Sequence, residues 1–390
     1  MKRIELLGLF LVALLYVAAT VWILTGHAPI DYPAYAMAAW GFHRGEAVYR
    51  WEEDDYARAA AALGFSHYAP PYRYPPLTAL WTLPLLGLPD RGVGIWIALQ
   101  AACALLTAET LARSFGDSKP TTRLLVRLGV GFFTPFLTSL YAGQVNPMVT
   151  LLIALAIRLI GQGQEGRGGV LLGLSLMLKP LALGIVGLLL WEGRWKALAG
   201  LLLGITLALG MSVLAFGAPA MGFLHASLPI TGSAYPPAQN LPSLAIRWGT
   251  HHPYGFALAD APTMARWAGL ALSGLLILLT LIGWGRPGAP RPLFEVRAAW
   301  ALTATFLANP GTWYHHGTVL SVGLAVLLHR ASRHSRIWWA ALATSAGAIA
   351  LWGWAWHAFV GWTPLLDLAT LGALGLWILL ARERGNERAT

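Results

Sequence analysis

Apolar runs of about twenty residues recur along the whole chain, from residues 6–24 to residues 365–380, and each can cross a bilayer core of roughly 30 Å as a helix. The strict alternation of a membrane β-barrel is absent, so the spans are helical, with every backbone N–H and C=O satisfied inside its own segment. Composition agrees: 57% of the 390 residues are apolar and 11% charged, too little polar surface to coat a water-soluble globule of this size. The formal charge of +10 does not indicate nucleic acid, because the basic residues gather in short turns between apolar runs and form neither a basic groove nor a basic repeat. Cys103 is the sole cysteine, which excludes an intrachain disulfide and a multi-cysteine metal site. Lys2 and Arg3 precede the first run, but that run exceeds a signal-peptide core of about 7 to 15 residues and is expected to stay as an uncleaved first helix.

About twelve apolar segments can be delimited. The basic turns at 194–196, 286–297 and 330–336, with Arg382, Arg384 and Arg388 in the tail, are expected to be cytoplasmic. Both termini then lie inside, and two long loops, 26–74 and 217–264, lie outside. The first carries Glu46, Glu52, Glu53, Asp54 and Asp55 and two stretches, 35–40 and 56–63, amphipathic enough for short helices on the membrane surface. The second is rich in Pro, Gly, Ser and His and is expected to be irregular. The expected fold is therefore an all-α integral membrane protein, one polytopic domain over 1–390. One turn resists the charge rule: a simple count places Arg113 to Arg127 outside. The alternative makes 77–89 a non-crossing half-helix and splits 169–191 into two halves at Lys179-Pro180.

Ionisable groups at membrane depth are costly and mark function. Of the four lysines, Lys179 is the one within an apolar run. It either snorkels to the interface or, the reading preferred here, faces a cavity that receives an anion, with Pro180 breaking the helix beside it. Asp31, directly after the first span, has no cation next to it in sequence. Such a carboxylate is a helix cap or, at the mouth of a membrane cavity, a general base. Tyr72-Arg73-Tyr74-Pro75-Pro76 forms a rigid aromatic entry to the next span. Gln144 and Asn146 place amides between apolar helices, to pack them or to hold sugar hydroxyls. Asn309 to His316 combines a stacking surface at Trp313 with the imidazoles of His315 and His316, suited to phosphate contact or proton transfer. Adjacent histidines seldom share one ion and no spaced His/carboxylate set accompanies them, so no metal is expected.

Three patterns are set aside. Gly161 to Gly166 spells G-x-G-x-x-G without a preceding strand and reads as a flexible turn. Gly200 and Gly204 read as a small-residue helix contact. Glu109 is expected to pair with Arg113 one turn later.

Taken in order, Asp31 with Tyr35-Ala36-Met37-Ala38-Ala39, Gly45-Glu46-Ala47-Val48-Tyr49, Tyr74-Pro75-Pro76, Gly143 to Asn146, Leu178-Lys179-Pro180, Asn240 to Leu244, and Asn309-Pro310 with Trp313 to His316 resemble glycosyltransferase family 87. This family comprises membrane mannosyltransferases that use polyprenyl-phosphate-mannose. The resemblance implies a GT-C-type helix bundle of about twelve transmembrane helices, with short extracytoplasmic surface helices and the active site on the outer face of a bacterial-type plasma membrane. It implies transfer of a hexose, mannose first, from a polyprenyl-phosphate donor to a lipid or glycan acceptor, with no cofactor. Asp31 would be the base, Lys179 with His315 or His316 would meet the donor phosphate, and Tyr35, Arg73, Tyr74, Gln144, Asn146, Asn240 and Trp313 would line the substrate site. Asn309-Pro310 and Pro242 depart from the family pattern, which leaves donor sugar and acceptor open. The rival reading is a lipid or sugar transporter or flippase, against which stands the absence of an internal repeat.

Overall fold

The computed structural model describes residues 2–26, 29–65, 71–114, 119–225, 231–287, 291–331 and 334–386. The described residues are helical, with an isolated bridge between His252 and Gly255 as their one β-type pairing. Five helical segments among them are long and apolar enough to cross a membrane: Glu5–Gly26, Arg91–Ser114, Pro120–Ala142, Trp195–Phe216 and Pro262–Trp284. Pro120–Ala142 is interrupted at Phe132 and Phe133, where Pro135 in the first turn of Thr134–Ala142 denies one backbone hydrogen bond and starts the helix afresh. The outer faces of these segments are apolar. Leu214 is 90% exposed, and Phe10, Leu202, Trp267 and Ile282 are all more than half exposed. A surface of that kind is solvated by lipid, and the protein is an integral membrane protein.

The basic turns collect at one end of the bundle, opposite Asp31. Arg127 bridges Glu109 at 2.6 Å and Glu5 at 3.8 Å, and Arg123 approaches Glu5 at 3.7 Å. Glu109 also pairs with Arg113, as expected. Arg194 meets Glu165 at 2.8 Å, Arg297 meets Glu192, and Arg330 approaches Glu383 at 3.7 Å. Arg113, Arg123 and Arg127 thus lie at the Glu5 end of the first helix, where His329 Nε2 also reaches Leu111 O at 3.2 Å.

Two features bring this about. Helix Pro76–Thr82 and the 3-10 turn Leu83–Gly87 stay at the Asp31 end, where Thr78 Oγ1 donates to Leu178 O (3.1 Å) and Thr82 Oγ1 to Tyr35 O (3.1 Å). Helices Glu165–Leu178 and Leu183–Trp191 form a hairpin with Lys179 and Pro180 at its tip. The first of these has 14 residues and rises about 21 Å, so the tip is recessed below the end of the longer helices. The first helix of the hairpin is held by glycines against the long helix that follows. A Cβ at Gly200 would stand 2.1 Å from Gly166 O, one at Gly204 2.3 Å from Val170 O, and one at Gly169 2.0 Å from Ala197 O, so Trp195–Phe216 packs backbone to backbone on Glu165–Leu178. The Gly161 to Gly166 run is the turn joining two helices, with Gly163 at φ 82°.

At the Asp31 end the loops are ordered differently from expectation. Helix Tyr32–His43 exists, but it is enclosed and does not lie on the surface: every residue from Tyr32 to Ala39 is buried. Its apolar side chains run round the whole helix, so it needs protein on all sides. Helix Glu53–Leu63 is the amphipathic one, entered through a capping box between Glu52 and Asp55 and ended by Gly64 at φ 72°. The segment expected to be irregular, 217–264, contains helix Leu241–Gly249. Asn240 starts it by accepting from Ser243 N at 2.8 Å, with Pro242 in the first turn.

Candidate active site

Asp31 stands at the N-terminus of Tyr32–His43 and makes no side-chain cap hydrogen bond. The capping role is thus unused. The position of the residue is set through the backbone: Asp31 N donates to Ala142 O at 2.8 Å, tying the connection after the first span to the end of Thr134–Ala142. Gly143 makes the approach possible. It has φ 72°, and a Cβ there would meet Pro29 Cβ at 2.7 Å and Tyr32 Cβ at 3.0 Å, so both conformation and space require glycine. Trp96 Nε1 donates to Gly143 O at 2.8 Å and fixes this crossing from the other side.

The turn delivers Gln144 and Asn146 into the interior, where Lys179 meets them. Lys179 Nζ donates to Gln144 Oε1 and to Asn146 Oδ1, both at 3.0 Å, and lies 4.9 Å from the Tyr74 ring centroid. Lys179 is 6% exposed, so it does not snorkel; two neutral carbonyls and an aromatic face supply the surroundings that an ammonium group needs at such a depth. Gln144 is the hub. Its Oε1 also accepts from Tyr35 OH (2.7 Å), its Nε2 donates to Tyr74 OH (3.0 Å), and its side chain faces the Asp31 carboxylate. Among the described residues, Asp31 forms no contact ion pair with Lys179; the amide stands between them. Burial pushes the Asp31 carboxyl above the ordinary carboxylate range, against the opposing pull of the Gln144 hydrogen bond and the Lys179 charge.

Asn146 connects this cluster to the 309–316 turn. Its Nδ2 donates to His315 O (2.9 Å) and to Ser139 Oγ (3.2 Å), and Ser139 Oγ itself donates to His315 O (2.9 Å). His316 Nδ1 accepts from Trp313 N at 3.0 Å, so in the neutral ring Nε2 carries the proton. The His315 and His316 rings stand edge to face at 4.5 Å. Asp31, Tyr35, Tyr74, Gln144, Asn146, Lys179, His315 and His316 thus converge, although they come from five separate stretches of chain.

The other expected residues are placed differently. Arg73 is exposed beside the cluster and Trp313, 38% exposed, forms its rim. Asn240 is fully buried behind the 309–316 turn. Its Nδ2 donates to Thr312 O (2.7 Å) and Pro310 O (3.3 Å) while its Oδ1 caps the helix, so its hydrogen-bonding groups are engaged by protein. Sequence reasoning passed over Ser139, Gln239, Arg247 and Asp367. Arg247 and Asp367 are a buried ion pair, with Arg247 Nη1 donating to Ala238 O (2.8 Å) and Trp248 Nε1 to Asp367 Oδ2 (2.8 Å). The available signal was Asp367 itself, a charge inside an apolar run. Among the described residues no three His, Cys, Asp or Glu side chains converge as a metal-ligand set.

The arrangement gathers a desolvated carboxylate, a buried lysine and hydrogen-bond donors just beyond the end of the first membrane-length helix. Comparison with known proteins is consistent with such chemistry. The profile of Glycosyltransferase family 87 matches residues 72–310. An α-(1→3)-arabinofuranosyltransferase of Mycobacterium tuberculosis is 27% identical over 209 residues, 52% of this chain and 45% of the relative. One of Corynebacterium glutamicum is 23% identical over 345 residues, 82% of this chain and 78% of the relative. The match thus spans about half the length of the mycobacterial relative. No solved structure matches the chain.

Proposed function

The chain belongs to glycosyltransferase family 87, and on that premise we propose that it is a membrane glycosyltransferase transferring a sugar from a polyprenyl-phosphate donor to a lipid or glycan hydroxyl on the extracytoplasmic face. The observation that carries the reading is the separation of Asp31 from Lys179 by Gln144. A contact ion pair would cancel both groups; held apart, one can take a proton while the other receives a phosphate.

In this reading Asp31 accepts the proton of the acceptor hydroxyl as its oxygen bonds to the anomeric carbon. The bond from that carbon to the phosphate oxygen breaks, and the electron pair leaves with the polyprenyl phosphate. Lys179, with the His316 Nε2–H, meets the charge developing on the phosphate. Gln144 and Asn146 position Lys179, while Tyr35, Tyr74, Arg73 and Trp313 border the sugar and acceptor. Asn240 acts through the 309–316 turn it supports.

Because both relatives carry the name arabinofuranosyltransferase, we take the transferred sugar to be arabinofuranose in place of the mannose expected from the sequence. The basic end of the bundle is assigned to the cytoplasm by the positive-inside rule, with both termini there. Counting the two short hairpin helices, the chain then makes about twelve passes as one polytopic domain.

The test is sugar transfer by purified protein in liposomes, supplied in parallel with polyprenyl-phosphate-arabinofuranose and polyprenyl-phosphate-mannose and with membrane glycolipid acceptors. Product from the arabinofuranosyl donor supports the reading, and product from the mannosyl donor instead corrects the sugar. Movement of lipid-linked sugar across the bilayer with no product from either donor would establish a transporter.

A further inference from the structure

Serines and threonines inside these helices ordinarily donate to a carbonyl of their own helix one turn back. Thr138 does so to Thr134 O (3.2 Å) and Pro135 O (3.1 Å), Thr303 to Ala299 O (2.9 Å) and Ser345 to Ala341 O (2.9 Å). Ser139, the neighbour of Thr138 and fully buried, turns away from its own helix: its Oγ donates to His315 O at 2.9 Å, a partner 176 residues along the chain.

The same residue touches both amides that hold Lys179. Thr134–Ala142 ends in a Schellman motif, in which Gly143 N donates to Leu140 O (3.0 Å) and Gln144 N to Ser139 O (2.8 Å). The Ser139 carbonyl thereby fixes the backbone of Gln144, while the hydroxyl oxygen accepts from Asn146 Nδ2 at 3.2 Å. Gln144 Oε1 and Asn146 Oδ1 each accept from Lys179 Nζ at 3.0 Å. One orientation of the Asn146 amide satisfies all its neighbours: Nδ2 gives its hydrogens to Ser139 Oγ and His315 O, which leaves Oδ1 for Lys179. Turned over, the amide would set its oxygen against the His315 carbonyl.

We propose that Ser139 is a positioning residue for sugar transfer, which holds the Asn146 amide between His315 O and Lys179 so that the lysine and the His315-His316 turn bear on one donor phosphate. This rests on the glycosyltransferase reading above. A second buried tie to the same turn provides the contrast. Thr150 Oγ1 donates to Thr318 Oγ1 at 2.8 Å, joining helix Asn146–Gly161 to the 3-10 turn Tyr314–Val319. That pair of hydroxyls is as deeply buried as Ser139, yet it bonds neither Lys179 nor the two side-chain amides.

The test measures sugar transfer by full-length protein in detergent, with donor and acceptor varied in turn. Ser139→Ala keeps the backbone bond to Gln144 N and suits a helix interior, so it is expected to fold. It should lower donor kcat/KM about tenfold, the effect of one lost buried hydrogen bond, and leave acceptor KM unchanged. Thr150→Val should cost as much thermal stability and keep donor kcat/KM within about twofold of the wild type. In Ser139→Ala combined with Asn146→Ala the loss should fall well short of the product of the two single losses, because the serine acts through the amide. Unchanged donor kcat/KM in Ser139→Ala, an equal loss in Thr150→Val, or losses that multiply in full would each overturn the positioning role and leave the transferase standing. Binding of polyprenyl phosphate covers the other case. In a protein that transfers no sugar, a Kd about tenfold weaker in Ser139→Ala and unaltered in Thr150→Val upholds the positioning role and overturns the transferase. One Kd common to all three proteins, or no binding at all, overturns both.

Discussion

Lys179 and Asp31 share one amide as neighbour: Gln144 Oε1 accepts from Lys179 Nζ at 3.0 Å, and its side chain faces the Asp31 carboxylate. Two opposite charges in a recess of low polarity would otherwise collapse together with a gain of several kcal/mol. The amide maintains both as usable groups.

Asp31→Asn is expected to lower kcat about a thousandfold, the usual range for loss of a general base, with donor KM little changed. In the wild type the base works only when ionised. Burial raises its pKa, so kcat/KM should fall with decreasing pH on a limb above the ordinary carboxylate value of about 4. Activity independent of pH down to that value would contradict a desolvated base at this position.

Lys179→Met nearly preserves side-chain volume and removes the cation. It is expected to cost about a hundredfold or more in kcat, because the phosphate charge develops in the transition state. Single-turnover kinetics with saturating donor provide the measurement; an unchanged rate would assign Lys179 a purely packing role.

Gln144→Glu changes one atom group and inserts a carboxylate beside Lys179. A direct ion pair should form and occupy the cation, raising donor KM about tenfold or more while the protein stays folded. Gln144→Glu that binds donor as tightly as the wild type would show that Lys179 does not serve the phosphate.

Asp367→Asn leaves the buried Arg247 guanidinium without its counter-charge and should destabilise by about 3 to 5 kcal/mol. Exchanging both partners for apolar residues, Arg247→Met with Asp367→Leu, should recover much of that loss. Thermal unfolding in one detergent compares the three proteins.

Gly204→Leu would force a side chain into Val170 O, 2.3 Å from where the Cβ must lie. Separation of Trp195–Phe216 from the hairpin should cost about 1 to 3 kcal/mol and displace Lys179 at the hairpin tip. Lowered thermal stability together with raised donor KM would register both effects.

The membrane class, the helices and the glycine contact at Gly200 and Gly204 were all legible in the chain, because each depends on a window of roughly twenty neighbouring residues and the solvent it prefers. Asp31, Lys179 and the His315-His316 pair stood out for a related reason: charge and imidazole are conspicuous among apolar neighbours. Other relationships were not local. Whether Asp31 capped its helix, whether Asn240 faced substrate or supported a turn, and whether Tyr32–His43 lay on the surface depended on partners far away in the chain, 72 residues for Asn240 and 109 for Tyr35. The chain likewise left the Arg113 to Arg127 turn on either side, since both topologies contain equally good apolar runs. The structure draws Arg113, Arg123 and Arg127 toward the Glu5 end of the bundle and makes Glu165–Leu178 and Leu183–Trp191 two separate helices with Lys179 and Pro180 between them. Hydrophobicity determines that a segment enters the membrane; which buried polar groups satisfy one another is determined only where the helix ends meet, since each donor must find its acceptor there and nowhere else.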